Sequence, residues 1–228
     1  MVTFAAQLKS MEAHHIKIQR TAHYYTLGEA NQNTKNWWIV THGYGQDASQ
    51  FIYKFEEVFD ENTFVIAPEG LSRFYYDHKT GYVGASWMTK RDRLDEIDDY
   101  CNYLDLLYKE YGSKMPGDVR IHLLGFSQGG ATQCRWIHAR RPQFDNLILW
   151  ACDFPNDLNY RDIETYMSDK KAYLVVGDED QFVTPERLEH FKKLMDDQGF
   201  QREEIEFSGK HVVDRPTLRA LNERIKQH

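Results

Sequence analysis

The feature that most constrains the fold of this chain is an alternation of short apolar runs with longer segments of helical periodicity. The apolar runs read as buried strands and lie at 37–41, 63–67, 119–124, 147–151, 172–176 and 205–207. Helical spacing of apolar side chains occurs at 48–59, 91–111, 128–140 and 215–226, and a further helix opens at Thr184. Residues 16–25 suggest an opening strand or hairpin. This alternation predicts an α/β fold, a mainly parallel central sheet with helices on both faces.

The size and charge of the chain narrow its organisation and its partners. A length of 228 residues suits one domain over residues 1–228, and the sequence shows neither a repeat, a Gly/Ser-rich linker nor room for a large cap domain. Hydrophobic residues make up 41% and charged residues 28%, which is typical of a globular protein. The net charge of −7 gives an acidic surface that repels phosphate backbones, so no nucleic-acid partner is expected.

The cysteines and the N-terminus indicate a cytoplasmic protein. Cys101, Cys134 and Cys152 are an odd, sparse set that fits a reducing compartment rather than a disulfide framework. The first ten residues lack the basic and apolar regions of a signal peptide. No apolar run approaches the roughly 18 residues that cross a bilayer, so no stable membrane insertion is expected. The sequence leaves the oligomeric state open, and a dimer is compatible with it.

A candidate nucleophile lies between a predicted strand and a predicted helix. Residues 125–130 read G-F-S-Q-G-G and fit the G-x-S-x-G nucleophile elbow, in which a serine sits on a tight strand-to-helix turn. Side chains two residues before and after the serine would collide, so Gly125 and Gly129 leave the room that the turn needs. We therefore predict Ser127 as a catalytic nucleophile.

A serine nucleophile needs a histidine base and an acid that orients it, and in this architecture the acid precedes the base. Asp180 follows the fifth strand and His211 follows the last strand, both at the expected edge of the sheet. We assign Asp180 as the acid and His211 as the base. Asp178 and Glu179 in the same loop, and Asp153 after the fourth strand, are the competing carboxylates. The other histidines considered fall in predicted helices, in a strand or before the core: His14, His15, His23, His122, His138 and His190.

The oxyanion hole requires backbone N–H donors aimed at the oxygen that becomes negative. One donor is expected from Gln128, at the start of the helix after the nucleophile. The other is expected from Tyr44, because the loop T-H-G-Y-G after the first central strand has a glycine on each side of it. We expect His42 in this loop to brace the turn by hydrogen bonding rather than to transfer a proton.

Aromatic residues suggest where the substrate binds. Four rings are candidates for an apolar wall of the site: Phe74, Trp87, Phe154 and Phe182. Packing of these rings in the core is the competing interpretation. Gly81 and Gly84 would allow residues 71–90 to form a mobile flap. The sequence contains no H-E-x-x-H, C-x-x-C, G-x-G-x-x-G or P-loop motif, so we expect neither a metal nor a cofactor.

The motifs taken in order resemble a known family. The strings T-H-G-Y-G, A-P-E-G, G-A-S-W, G-F-S-Q-G-G, G-D-E-D-x-x-V and G-K-H are similar to those of the phospholipase/carboxylesterase family, which includes acyl-protein thioesterases and small bacterial carboxylesterases. The resemblance implies an α/β-hydrolase fold and a cofactor-free Ser–His–Asp mechanism. It implies Ser127 as the nucleophile, Asp180 as the acid and His211 as the base, with Tyr44 and Gln128 as the oxyanion donors. The chain departs from the family in the A-C-D-F-P-N-D loop, in the ring-rich segment 71–90 and at Gln181-Phe182.

Together the residues and the resemblance predict a serine carboxylic-ester hydrolase that acts through an acyl-enzyme on small or medium acyl esters. The expected partner is a small-molecule or acylated substrate. Alternatives on the same fold are a thioesterase for acyl-protein or acyl-CoA thioesters and a lysophospholipase. A non-catalytic binding protein on a hydrolase scaffold is the rival from another class, and the filled triad and oxyanion positions disfavour it.

Overall fold

The computed structural model describes residues 12–226, and the strands of this region form two sheets. The large sheet contains β1 (Tyr24–Leu27), β2 (Asn36–Thr41), β3 (Thr63–Pro68), β6 (Arg120–Phe126), β7 (Asn146–Trp150), β8 (Lys171–Gly177) and β9 (Glu203–Phe207). A separate antiparallel hairpin contains β4 (Ser72–Asp77) and β5 (Tyr82–Ser86). The strand order of the large sheet is β1-β3-β2-β6-β7-β8-β9. Apart from β1, which is antiparallel to β3, its neighbouring strands run parallel, as predicted.

The helices connect the strands and cover both faces of the large sheet. They are α1 (Ala48–Phe51), α2 (Arg93–Gly112), α3 (Gln128–Arg140), α4 (Glu164–Met167), α5 (Pro185–Asp197) and α6 (Arg215–Lys226), with 3₁₀ turns at Ile52–Glu57 and Tyr160–Ile163. None of those within residues 12–226 combines the length and the apolar character that a bilayer crossing requires. The N-terminal stretch in which no signal peptide is predicted lies outside the described residues.

Alternation of side chains along the strands creates a core on each face. Along β2, Trp37 and Ile39 join the cluster under α2, α3 and α5, whereas Trp38 and Val40 join the cluster under α1 and α6. The other central strands alternate in the same way because successive side chains of a strand point to opposite faces. Each fully buried Leu, Ile or Phe side chain stabilises the fold by roughly 1.5–3 kcal/mol. The central strands are mostly apolar because both of their faces are buried, whereas the edge strands β1 and β9 are largely exposed.

Four segments differ from the sequence-based expectations. Residues 48–59 form one α-helical turn followed by a 3₁₀ turn, since Phe51, Ile52 and Tyr53 in succession have only modest helix propensity. The opening strand is confined to Tyr24–Leu27, and the preceding residues run along α2, where Lys17 pairs with Asp98 at 2.9 Å. The hairpin β4–β5 and the short helical segment Tyr160–Met167 were not predicted.

A chain of buried polar side chains crosses three neighbouring strands. Asn146 on β7 donates from Nδ2 to His122 Nδ1 at 3.0 Å, and His122 Nε2 on β6 lies 3.2 Å from Asn36 Oδ1 on β2. Nδ1 accepts in this arrangement, so Nε2 carries the proton and the ring is neutral. Trp38 packs over the imidazole with 4.6 Å between ring centroids. Burial lowers the pKa of His122 to about 3, because a charged ring would have no compensating partner there.

His122 makes the stability of the protein sensitive to acid. Its pKa is about 3 in the folded protein against 6.5 for an unperturbed histidine, so the unfolded chain takes up the proton first. The free energy of unfolding should therefore be highest above pH 6.5 and fall by roughly 1 kcal/mol per pH unit on this account as the pH drops toward 3. His122→Gln, which cannot titrate, should show a shallower pH dependence. Urea unfolding followed by tryptophan fluorescence between pH 7 and pH 5 measures the free energy of unfolding of both proteins. An equal pH dependence in the wild type and in His122→Gln would contradict the lowered pKa of His122.

Candidate active site

The turn between β6 and α3 holds Ser127 in an unusual backbone conformation. Ser127 has φ 53° and ψ −120°, in the left-handed region that L-residues avoid. Such a conformation costs on the order of 1–3 kcal/mol and persists only when the surroundings enforce it. Here the Ser127 N–H donates to Trp150 O at 2.9 Å, and Ser127 O accepts from the N–H of Gly130 at 3.0 Å. The turn is therefore fastened to β7 on one side and to its own helix on the other.

Close backbone contacts explain the glycines around the serine. A Cβ at Gly125 would overlap the carbonyl oxygen of Gly129, and a Cβ at Gly129 would overlap the carbonyl oxygen of Thr41 at the end of β2. These contacts agree with the steric role that the sequence predicts for the two glycines. Gly130, for which the sequence predicts no such role, is restricted as well, since a Cβ there would overlap the thiol of Cys152.

His211 and Asp180 are brought together by the loops after β9 and β8. His211 Nδ1 lies 2.7 Å from Asp180 Oδ2, and the other carboxylate oxygen accepts the backbone N–H groups of Phe182 at 2.8 Å and Val183 at 3.0 Å. The Asp180 side chain is 0% exposed and that of His211 17% exposed. Because a carboxylate only accepts, Nδ1 carries the proton and Nε2 is left with a free lone pair.

The imidazole of His211 lies beside the serine turn. Its ring packs against that of Phe126, the residue before Ser127, with 4.8 Å between centroids. Trp150 joins the two loops, because its indole Nε1–H donates to Val212 O at 2.9 Å while its carbonyl accepts from Ser127. The side-chain hydrogen bonds within residues 12–226 include none from Ser127 Oγ to His211. Catalytic hydrogen bonds are often long before substrate binds and tighten in the complex.

The competing carboxylates have other partners. Asp153 accepts from Arg187 Nη2 at 2.6 Å, and Arg187 Nη1 also donates to Phe182 O at 2.7 Å. Asp178 accepts the backbone N–H of Gly209 at 2.9 Å, which ties the two loops together. Both carboxylates therefore brace the loop that carries Asp180, and Asp180 is the one that contacts the imidazole.

The loop after β2 lies directly against the serine turn. A Cβ at Gly43 would lie 3.1 Å from Ser127 Cβ. The N–H of Gly43 donates to Gln46 Oε1 at 2.8 Å, and that of Gly45 to Ala85 O at 2.8 Å. Between them, the N–H of Tyr44 has no acceptor in the part of the chain that the structure describes, and neither has that of Gln128 at the first turn of α3. Two N–H donors that lack an acceptor among residues 12–226 therefore flank Ser127.

His42 braces the loop after β2 through hydrogen bonds at both of its ring nitrogens. Its Nε2 accepts the N–H of Gly70 at 3.0 Å, so Nδ1 carries the proton and donates to Gly43 O at 2.8 Å. Burial lowers the pKa of His42 to about 4, and the ring stays neutral at physiological pH. Its contacts are those of a bracing residue, which is the role that the sequence favours over proton transfer.

Two of the four rings named for the apolar wall are core residues. Trp87 is 1% exposed, and its Nε1–H donates to His42 O at 2.9 Å. Phe154 is 2% exposed and packs between Tyr160 and Phe200, with centroids 5.0 and 5.2 Å away. Both side chains are enclosed by protein, so they offer no surface to a ligand. We therefore remove Trp87 and Phe154 from the proposed wall.

The other two rings lie at the rim of the site. Phe74 on β4 is half-buried and packs on Tyr44 with 5.3 Å between centroids. Phe182 is 53% exposed and meets the edge of His211 at 4.8 Å. Exposed apolar surface therefore occurs on both sides of Ser127, on the hairpin and on the loop of Asp180.

The segment predicted as a flap is the hairpin β4–β5, and its base is anchored. Ala85 N–H donates to Gln46 O at 3.0 Å, and Ala85 O accepts from Gly45 N–H. A Cβ at Gly84 would overlap the carbonyl oxygen of Gly45, so β5 approaches the loop after β2 backbone to backbone. The hairpin is thus part of the wall beside Tyr44.

Two open grooves, of about 890 and 630 Å³, lie at the opposite edge of the sheet. Their walls include Asn36 and Arg120 in the larger groove and Trp37 and Ile121 in the smaller, at the amino ends of β2 and β6. Ligands of open α/β sheets bind at the carboxyl ends of the strands. We therefore assign the functional site to the edge that carries Ser127. Residues 12–226 hold no cluster of three or more His, Cys, Asp or Glu arranged to bind a metal ion.

The sequence did not reveal the roles of two residues that hold the site together. Arg187 braces the loop of Asp180, and Trp87 joins the loop after β2 to the serine turn. The sequence suggested Trp87 as a ring of the apolar wall, and the G-A-S-W string that contains it entered only as part of the family resemblance. A contact between loops that are distant along the chain has no local sequence signal.

Solved structures with this architecture include esterases and a thioesterase. Zea mays acyl-protein thioesterase 2 superposes with a TM-score of 0.69 at 15% identity, covering 91% of this chain and 99% of that chain. A carboxylesterase from Mesorhizobium loti gives 0.70 at 14% identity, with 91% and 95% covered. A phospholipase/carboxylesterase from Dyadobacter fermentans gives 0.64 at 16% identity, with 92% and 99% covered. These similarities confirm the predicted α/β-hydrolase fold.

The family is identified by a sequence match rather than by these distant structures. No curated protein matches the chain. The family described as serine hydrolase (FSH1) matches residues 32–224, a span that includes Ser127, Asp180 and His211. The predicted enzyme class is therefore confirmed, and the chain belongs to the serine hydrolase (FSH1) family.

Proposed function

We propose that this enzyme hydrolyses carboxylic esters through a covalent acyl-enzyme, with Ser127 as nucleophile, His211 as general base and Asp180 as the orienting acid. The observation that carries the proposal is the 2.7 Å contact between His211 Nδ1 and a fully buried carboxylate, beside a serine held at φ 53°. A strained serine, an oriented imidazole and two N–H donors with no acceptor in the described part of the chain are the parts that acyl transfer requires.

The first half of the proposed reaction forms the acyl-enzyme. His211 Nε2 removes the proton from Ser127 Oγ while Oγ attacks the acyl carbon. The carbonyl oxygen becomes negative and accepts hydrogen bonds from the N–H groups of Tyr44 and Gln128, each worth on the order of 3 kcal/mol in the transition state. The bond to the leaving oxygen then breaks, and the leaving group takes the proton from His211.

The second half releases the acid. Water gives a proton to His211 Nε2 and attacks the acyl carbon, and collapse of the second tetrahedral intermediate returns the proton to Ser127. Asp180 keeps Nδ1 protonated and stabilises the imidazolium that forms twice in each cycle. The backbone N–H groups of Phe182 and Val183 hold the carboxylate in place, so its position does not depend on the substrate.

The rim supports small or medium acyl esters as substrates. Phe74 and Phe182 are the remaining candidates for acyl contacts, and Tyr44, which is 57% exposed, extends the apolar surface next to its own N–H group. An acylated small molecule or an acylated protein side chain could approach this open rim. A thioester would use the same nucleophile and the same oxyanion donors and differ in its leaving group.

The organisation and location of the enzyme are also proposals. Both apolar clusters pack on one sheet, which supports a single domain. Cys101, Cys134 and Cys152 are buried free thiols, which supports a reducing compartment such as the cytoplasm.

Ser127→Ala should abolish ester hydrolysis without unfolding the protein. Alanine keeps the Cβ that already occupies this turn, so the thermal unfolding midpoint should not change, whereas kcat should fall by a factor on the order of 10⁵ or more. The measurement is turnover of p-nitrophenyl esters of several chain lengths and of matched thioesters, together with labelling by a fluorophosphonate probe. Turnover or labelling that survives the substitution would contradict the assignment of the nucleophile.

Asp180→Asn tests the orienting acid. The amide can still accept from Phe182 and Val183, but its NH₂ faces His211 Nδ1 and favours the tautomer that carries the proton on Nε2. A base with its proton on Nε2 cannot accept one from Ser127, so kcat should fall by about 10⁴. Asp153→Asn is the matched control, since that carboxylate pairs with Arg187. Comparable steady-state rates for the two variants would refute the choice of acid.

A further inference from the structure

Trp87 lies between the two loops that carry the proposed oxyanion donors. Its backbone N–H donates to the side-chain Oε1 of Gln128 at 3.0 Å, and its indole Nε1–H donates to the carbonyl oxygen of His42 at 2.9 Å. One residue therefore binds the start of α3 with its main chain and the loop after β2 with its side chain. We propose that Trp87 is a positioning residue that fixes the separation of the N–H groups of Tyr44 and Gln128, an inference that rests on the proposed function.

On the side of the serine turn, the carboxamide of Gln128 is held at both of its polar atoms. Nε2 donates to Met88 O at 2.9 Å and to Ser86 Oγ at 3.3 Å, while Oε1 accepts from Trp87. Residues 86–88 thus enclose the end of this side chain. Gln128 is the first residue of α3, so fixing its side chain also restricts the backbone N–H that we assign to the oxyanion hole.

On the other side, the contacts restrict the backbone on both sides of Tyr44. His42, two residues before it, gives its carbonyl to Trp87, and the two rings pack with 5.2 Å between centroids. Gly45, the residue after it, donates its N–H to Ala85 O at 2.8 Å. Ala85 and Trp87 belong to the same short stretch, so one segment of backbone determines where the Tyr44 N–H points.

A comparison with another buried tryptophan separates this role from simple packing. Trp37 is 0% exposed, packs on Tyr108 at 5.1 Å and makes no hydrogen bond from Nε1 within the described residues. The ring of Trp37 therefore stabilises the core without a bond from its indole N–H. The indole N–H of Trp87 does make a hydrogen bond, and its acceptor, the carbonyl oxygen of His42, belongs to the loop beside Ser127. A donor must lie about 2.7–3.1 Å from the developing oxyanion, so a shift of this loop would affect the transition state.

The test compares Trp87→Phe with Trp37→Phe. Both keep an aromatic ring and remove an indole N–H, but only the first breaks the hydrogen bond to His42. We expect Trp87→Phe to lower kcat by about tenfold or more with KM nearly unchanged, because the oxyanion hydrogen bonds that it weakens act in the transition state. Rates are expressed per site labelled by a fluorophosphonate, which corrects for misfolded enzyme. Affinity for a phenylboronic acid, whose tetrahedral adduct places an oxygen in the hole, should fall in parallel, and Trp37→Phe should leave both quantities unchanged.

A second variant keeps the test decisive if Trp87→Phe does not fold. Gln128→Leu removes the carboxamide but retains the backbone N–H, and the same selective fall in kcat is expected. Equal kcat per labelled site in the wild type and in the variant that folds would overturn the positioning role. A wild-type chain that neither hydrolyses esters nor reacts with the probe at Ser127 would overturn the proposed function itself, and the inference with it.

Discussion

The structure of the site depends on one constraint, the approach of backbones to one another around Ser127. A residue with φ 53° at the end of β6 brings the start of α3 against the end of β2, at distances that only glycine permits at positions 125 and 129. Because β6 lies between β2 and β7 in the sheet, the loops that follow these two strands flank the serine. The loop after β2 provides the Tyr44 N–H, and Trp150 at the end of β7 accepts the hydrogen bond that fixes the serine backbone.

The pairing of Asp180 with His211 follows from the next two strands. β8 and β9 are parallel neighbours, so the loops at their carboxyl ends meet, and a Cβ at Gly177 would overlap the carbonyl oxygen of Gly209. A fully buried carboxylate is costly unless it is paired and hydrogen-bonded. Asp180 meets this requirement with two backbone N–H groups and the imidazole. The backbone of the loop thus stabilises the charged carboxylate of Asp180, and this carboxylate holds the His211 imidazole in the tautomer with its proton on Nδ1.

Much of this arrangement could be predicted because it has local signals. Strands buried on both faces are continuous apolar runs, and the predicted strand 172–176 differs from Lys171–Gly177 by one residue at each end. The order of Ser127, Asp180 and His211 along the chain follows from the order of the loops that carry them. Whether a given aromatic ring is buried or exposed had no local signal in the sequence. Phe154 and Phe182 are the same residue type in similar loops, yet one packs in the core and the other lies at the rim. The hairpin β4–β5 was missed because its side chains do not alternate strictly between apolar and polar.

Three histidines show why geometry favours His211 as the proposed base more clearly than residue type does. His42 and His122 are fully buried, and hydrogen bonds hold each as the neutral ring, with pKa values lowered to about 4 and 3. A proton added to His122 would create a buried charge near the cations Arg120 and Lys226, and for His42 the cost of burial outweighs the attraction of Asp47. His211 differs in two respects: a carboxylate lies 2.7 Å from its Nδ1, and its ring is partly exposed at the edge of the site. A proton that arrives on its Nε2 therefore forms an ion pair instead of an isolated charge, which is the property that a base in acyl transfer must have.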